Sequence, residues 1–213
     1  MRLAVVPDLS FSVEDAGAVE HAAVPTLRFG VRIDARGAEV VRSIMLQTQI
    51  QIAARRRRHE AGEEERLFEL FGGPERWGTT LRTLPWLRHT QVVPQFEGAA
   101  TVDIPVTCTY DFDVVAARYL QALDGGEVPL ELLFSGTVFY LADGLLQTAQ
   151  IPSDCDADYR LPVSVWRETM DRYFPGTTWL RLRRGTFERL HAHRSRNALA
   201  SWEDTIDDLL RDR

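Results

Sequence analysis

The sequence contains no lysine: all 25 basic residues counted as Lys or Arg are arginine. A GC-rich genome accounts for such a bias, because lysine codons are AT-rich, but the chemical consequence stands. A Walker A loop needs a lysine at the phosphates. Schiff-base and pyridoxal chemistry need a side-chain amine nucleophile, and a protein kinase needs its strand lysine. These classes are excluded. Cysteine is nearly as scarce. Cys108 and Cys155 form no CxxC pair and read as buried or free thiols rather than a disulfide framework. No apolar run approaches the length of a membrane span, and the opening Met1-Arg2-Leu3-Ala4-Val5-Val6 is too short for a signal-peptide core. The expected location is cytoplasmic.

What is present is the composition of a globular chain. Of 213 residues, 45% are hydrophobic and 26% charged, enough for one large domain or a domain with an appendage. The net charge of −6 gives no indication of nucleic acid or an anionic membrane as a partner of the whole chain.

Hydrophobic period divides the sequence. Leu9, Phe11 and Val13 alternate, as do Leu27, Phe29, Val31 and Ile33, with Arg28, Arg32 and Asp34 on the opposite face. A longer strand carries Ile44, Leu46, Thr48, Ile50 and Ile52 on one face and Gln47, Gln49 and Gln51 on the other, a row that suits a solvated sheet face. Residues 53–90 break the alternation. They hold the run Arg55-Arg56-Arg57-Arg58, a helix expected from Glu63 to Phe71, Trp77 and Trp86. Strands resume at Gln91–Phe96 and Thr101–Tyr110; the latter puts Cys108 in phase with Val102, Ile104 and Val106, as a core thiol. A helix capped by Asp111 or Asp113 follows, with Val115, Tyr119, Ala122 and Leu123 as its stripe. Val128–Leu141 is apolar on both faces around Leu132 and is expected to be central. Asp143-Gly144 is a hairpin signal into Leu145–Ile151.

After Pro152 the period becomes 3.6. Val163, Trp166, Met170 and Tyr173 form a helical stripe. Trp179-Leu180-Arg181-Leu182-Arg183 alternates like a short strand. Thr186 is placed to cap a helix and Ser201 a last one, with Trp202, Ile206, Leu209 and Leu210 as its stripe. The fold class is therefore α+β: an antiparallel β-sandwich, with an immunoglobulin-like topology expected, an inserted helix and a C-terminal helical region. The domains are 1–152, with the insertion at 53–90, and a helical region at 153–213 packed on it.

No catalytic or metal-binding spacing emerges. Asp154, Asp156 and Asp158 open like a calcium loop, but its glycine and glutamate positions hold Tyr159 and Val165. His191 and His193 are two apart, which on a helix points them about 200° away from each other; His191 falls beside the apolar stripe and His193 is expected to face outward. No Gly-x-Ser-x-Gly, His-Glu-x-x-His or Gly-x-Gly-x-x-Gly occurs. No metal or cofactor is implied.

Two segments carry functional expectations. The insertion offers Arg55, Arg56, Arg57, Arg58, Trp77 and Trp86 as a partner surface of rigid aromatics beside cations. The tail resembles the ribbon-helix-helix pattern of small bacterial repressors and antitoxins, with 179–182 as ribbon; the resemblance implies that Arg181 and Arg183 would enter the major groove. Residues 181–196 carry six arginines and one glutamate, whereas the last helix holds Asp204, Asp207 and Asp208.

Read end to end, the chain resembles an uncharacterised, mainly actinobacterial family of about this length, encoded beside [NiFe]-hydrogenase structural and maturation genes. Pro25-Thr26-Leu27-Arg28-Phe29, Ile50-Gln51-Ile52 with the arginine run, Leu67 through Trp77, Val102 through Asp111, Leu133 through Phe139 and the tail carry the resemblance. It implies an accessory or assembly role around a hydrogenase and no catalytic residues. The leading expectation is a non-enzymatic accessory protein binding a protein partner, such as a hydrogenase subunit or maturation factor. The alternative is a DNA-binding regulator.

Overall fold

The computed structural model describes residues 6–37, 40–109, 114–177 and 180–211. It divides into two compact units, Met1–Thr178 and Trp179–Arg213.

Among the described residues the first unit holds eight strands in two antiparallel sheets. β1 (Asp8–Ala18), β2 (Thr26–Arg36) and β5 (Ala99–Thr107) form the smaller sheet in the order 1-2-5. β4 (Leu84–Val93), β3 (Val40–Ile52), β6 (Glu127–Ala142) and β7 (Leu145–Gln150) form the larger one in the order 4-3-6-7, and β8 (Asp156–Pro162) pairs with β6 beyond β7. β7 takes Thr137–Ala142 of β6 and β8 takes Glu127–Leu133, so the two act as one interrupted strand. Three strands ordered A-B-E against C′-C-F-G is the immunoglobulin-type connectivity, here without a D strand among the described residues.

The two sheets share one apolar core, because each strand puts every second residue on the same face. Leu27, Phe29, Val31 and Ile33 of β2 are buried, as are Ile44, Leu46, Ile50 and Ile52 of β3. Aromatic rings cross the gap. Phe11 of β1 stacks on Phe134 of β6 at 4.3 Å, and Phe29 of β2 meets Trp86 of β4 and Tyr159 of β8 edge-on at 6.1 and 5.9 Å. β6 is central, as its two-sided apolar run predicts. At Gly136 the backbone has φ 135°, and a Cβ there would collide with the Met45 carbonyl oxygen. Asp143 and Gly144, both with positive φ, make the tight β6–β7 turn.

Helices close one end of the sandwich. α1 (Ala61–Phe71), a 3₁₀ turn at Pro74–Arg76 and the short α2 (Trp77–Thr80) lie between β3 and β4; α3 (Val115–Ala122) lies between β5 and β6. α1 buries Leu67 and Phe71, and α3 buries Ala116, Tyr119 and Leu120. α4 (Val163–Tyr173) buries Val163, Trp166 and Met170 and lies against β1, β2 and β8.

Several sequence expectations are corrected. The insertion ends before Leu84, not at residue 90, because β4 starts there and pairs with β3. Pro85 and the half-buried polar residues His89 and Gln91 on the strand's inner side hide it, features an edge strand tolerates. A strand at 156–162 interrupts the expected helical region 153–213, and it joins β6 of the first unit. α3 has Val114 at its N-cap; the expected caps Asp111 and Asp113 lie outside the described residues.

The second unit is a helical hairpin. α5 (Arg184–Arg196) begins after an Arg183 N-cap, so Thr186 sits inside the helix rather than capping it. Residues 180–183 form no strand. α6 (Trp202–Arg211) starts at the expected place: the Ser201 hydroxyl accepts from the Asp204 N–H at 2.9 Å and Asp204 Oδ2 accepts from the Ser201 N–H at 3.1 Å.

Candidate functional site

The arginine run leaves β3 as a 3₁₀ turn, Ala54–Arg56, which aims successive side chains in different directions. Arg56 projects over the outer side of the larger sheet. Its two terminal nitrogens donate to both Asp158 carboxylate oxygens at 2.7 Å and to Glu131 at 3.2 Å. The guanidinium holds the Asp158 carboxyl below the usual carboxylate range.

Arg57 turns into the helical end. It donates to Glu63 at 2.6 Å and to the carbonyl oxygens of Gly125 and Glu127, both at 2.8 Å. Glu63 is buried and also accepts from the backbone N–H of Glu60 and of Asp124. This one carboxylate ties the start of α1 to the turn that ends α3. Beside it, His59 Nε2 lies 3.0 Å from the Tyr119 hydroxyl, and the His59 ring meets Trp77 edge-on at 5.2 Å. Burial pushes the His59 pKa down and that of Tyr119 up.

Arg55 takes the third direction. It donates to the carbonyls of Leu81 and Gly78 and lines a groove of about 530 Å³ with Gly78, Thr79, Arg82 and Thr83. Arg82 donates to the Thr79 carbonyl. Among the described residues neither Arg55 nor Arg82 has a carboxylate partner, and Arg58 is exposed without one as well. The groove thus offers two guanidiniums and two hydroxyls, chemistry suited to carboxylate or phosphate oxygens.

The two tryptophans do not share a surface with this groove's cations as expected. Trp77 is half-buried, donates its Nε1–H to the Gly72 carbonyl at 2.9 Å and packs on Phe71. Trp86 is half-buried against Phe29 at the sandwich interior. The structure brings together Arg55 and Arg82, and it separates both from Arg56 and Arg57. Sequence reading missed Arg82 because it stands alone in the sequence; only the return of the chain from α2 places it beside Arg55.

Both cysteines are free. Cys108 is buried, as its phase predicts, and burial pushes its pKa up to about 12. Cys155 is half-buried, its pKa raised by burial and by Asp154, Asp8 and Asp156. Among the described residues, no three His, Cys, Asp or Glu side chains converge to hold a metal ion, and no helix is long and apolar enough to cross a membrane.

In the hairpin unit, His193 does not point freely outward. Its Nε2 lies 2.9 Å from Asp208 and joins the two helices. The Arg194 guanidinium sits 4.7 Å over Trp202, and Phe187 and His191 pack on the same indole. Leu180, Leu182, Leu190, Ile206 and Leu209 line an apolar groove of about 500 Å³. Arg183 is exposed on the approach to α5. Arg181 is exposed there too.

Comparison with solved structures finds similarity to the putative ApaA protein from Bordetella pertussis at 14% identity, covering 73% of this chain and 93% of that one with a TM-score of 0.27. Beta-glucosidase 3B from Thermotoga neapolitana matches at 10% identity over 72% of this chain and 17% of that one, TM-score 0.27. A beta-glucosidase from Kluyveromyces marxianus matches at 9% identity over 72% and 15%, TM-score 0.25. The chain therefore spans only a small part of either glucosidase. No functionally curated protein matches it. A family model does match, over residues 6–213, and the chain belongs to that family, DUF6084, a family of unknown function.

Proposed function

We propose that the protein is a non-enzymatic accessory or assembly protein that binds a protein partner, and that the partner presents an acidic segment to the groove at Arg55 and Arg82. The observation that carries this reading is the contrast among the arginines. Arg28, Arg32, Arg56, Arg57, Arg66 and Arg118 all meet carboxylates. Arg55 and Arg82 meet only backbone carbonyls and flank an open groove with Thr79 and Thr83. Guanidiniums with donors to spare recognise carboxylates in a fixed, bidentate geometry. The resemblance to a family encoded beside [NiFe]-hydrogenase genes nominates a hydrogenase subunit or maturation factor as the partner, and the cytoplasm as the place of action.

The test is a labelled polyglutamate peptide titrated into the wild-type chain and into R55E/R82E, alongside co-purification from the native host. The reading requires salt-dependent peptide binding that the double variant weakens by about tenfold or more, with the same variant losing the native partner while keeping its thermal midpoint. An unchanged affinity and partner set in a folded R55E/R82E refutes it.

The DNA-binding alternative through Arg181 and Arg183 has one supporting observation: both lead into the arginine-rich α5 and Arg183 is exposed. Against it, residues 180–183 form no strand and α6 is acidic in its first turn. Salt-dependent duplex binding abolished by R181A/R183A would favour it over the protein-binding reading.

A further inference from the structure

The outer faces of the two sheets differ in kind. The smaller sheet's outer face is laced with ion pairs: Arg28 with Asp15 and Asp103, and Arg32 with Asp34 and Glu14. That is how a solvated face of a charged protein looks. The larger sheet's outer face has an uncharged stretch. Gln47 lies between Thr90 and Ser135, and Met45 lies between Val92 and Thr137, with Gln150 next in the row. Met45 is 53% exposed, Val92 66% and Leu133 39%.

One row of this face carries two charges that no ion pair neutralises, and they are ordered. Strand register sets Arg88 of β4 opposite Gln49 of β3, Gln49 opposite Leu133 of β6, and Leu133 opposite Asp156 of β8. A lone cation thus stands at one edge of the sheet and a lone anion at the other edge, in the same row. Arg88 donates only to the Gln49 side chain, at 3.0 Å, and Asp156 is exposed without an ion-pair partner among the described residues. The next acidic group along, Asp158, is already held by Arg56.

We infer that this face is the interface between two copies of the chain, paired about a two-fold axis that runs along the strands between β3 and β6. Such an axis keeps each row in place and exchanges its ends. Arg88 of one copy then faces Asp156 of the other, twice, and Gln49 faces Leu133. An axis across the strands would instead set Arg88 against Arg88, a like-charge contact that costs binding energy. The isologous geometry is the common one for homodimers. Four strands at about 4.8 Å spacing and about seven residues along each give a footprint of roughly 450 Å² per copy. That sits at the small end of specific interfaces, so the dimer is weak and depends on concentration. The uncharged centre lets two molecules of net charge −6 approach there without opposing charges.

Sedimentation equilibrium of the full chain, from about 5 to about 300 µM, tests this. The expected result is a mass rising from monomer toward dimer in the wild type and a monomer throughout in L133R. R88D and D156R should each raise the dissociation constant by about tenfold or more, and R88D/D156R should restore it. All three substitutions are at exposed positions, and thermal midpoints within a few degrees of wild type confirm that the variants fold. A wild type that stays monomeric across the range overturns the proposal. So does a dimer indifferent to L133R, or a double reversal that fails to recover association. None of these outcomes depends on Arg55 or Arg82, so the groove reading stands or falls separately.

Discussion

Arg57 and Glu63 form a nearly buried ion pair at 2.6 Å, with Glu63 only 1% exposed. They are six residues apart, yet the pair reaches across to Glu127 and to the Gly125 and Asp124 backbone, so it joins the insertion after β3 to the turn before β6. Substituting Glu63 by Gln leaves the Arg57 charge buried without its counter-ion. The expected cost is about 3–5 kcal/mol. For a chain of this size that is a fall in Tm of about 10 °C, read by calorimetry or circular dichroism. R57M/E63L, which removes both charges and leaves apolar groups, should recover part of the loss.

His59 gives the pH dependence. Its folded pKa lies below the unfolded value, chiefly because burial disfavours the charged ring. The folded state therefore binds fewer protons than the unfolded state in the window just below the ordinary histidine pKa of about 6.5. This stability is complete above that value and is lost as pH falls toward the depressed folded pKa. Tm should decline between pH 7 and pH 5, and H59Q should show a flatter profile over the same range. Asp158 acts in a lower window: its depressed pKa adds stability above the ordinary carboxylate pKa that is lost in more acid solution.

Gly136 sits in mid-strand with φ 135°, a backbone region close to the preserve of glycine, and its Cα faces the Met45 carbonyl oxygen. G136A should therefore destabilise by about 3 kcal/mol or more, through strain and the forced separation of β3 and β6. G144A, in the β6–β7 turn where φ is 74° and an added Cβ meets nothing, should cost much less. Urea midpoints of the two variants make the comparison.

Thiol labelling should resolve the two cysteines. Cys155 is half-buried and reacts first, slowed by the surrounding Asp8, Asp154 and Asp156. Cys108, buried with its pKa pushed up to about 12, should label only as the protein unfolds. Mass spectrometry after timed alkylation at pH 8 distinguishes them; equal native rates would contradict the burial of Cys108.

Local chemistry made much of the fold legible. Alternation marked β2 and β3, the two-sided apolar run placed β6 at the sheet centre, and Asp143-Gly144 marked the hairpin. Period 3.6 marked α4 and α6, where Ser201 caps. Each signal lies within a few residues of the element it specifies. The elements that escaped were those whose pattern is inverted by their neighbours: β4 puts His89 and Gln91 inward and Val92 outward at a sheet edge, and β8 is recognisable only by its pairing with β6.

The sequence by itself determined most strands of the front, the buried state of Cys108 and the classes of enzyme that a chain without lysine cannot be. Tertiary structure alone decided what each arginine does. Four adjacent guanidiniums are equivalent in sequence, but a 3₁₀ turn sends Arg56 to Asp158, Arg57 to Glu63 and Arg55 to Arg82. It also decided that Arg88 and Asp156 share a row. Periodicity acts over neighbouring residues, whereas ion pairs, grooves and cross-strand rows are made by residues far apart in the chain that only register and packing bring together.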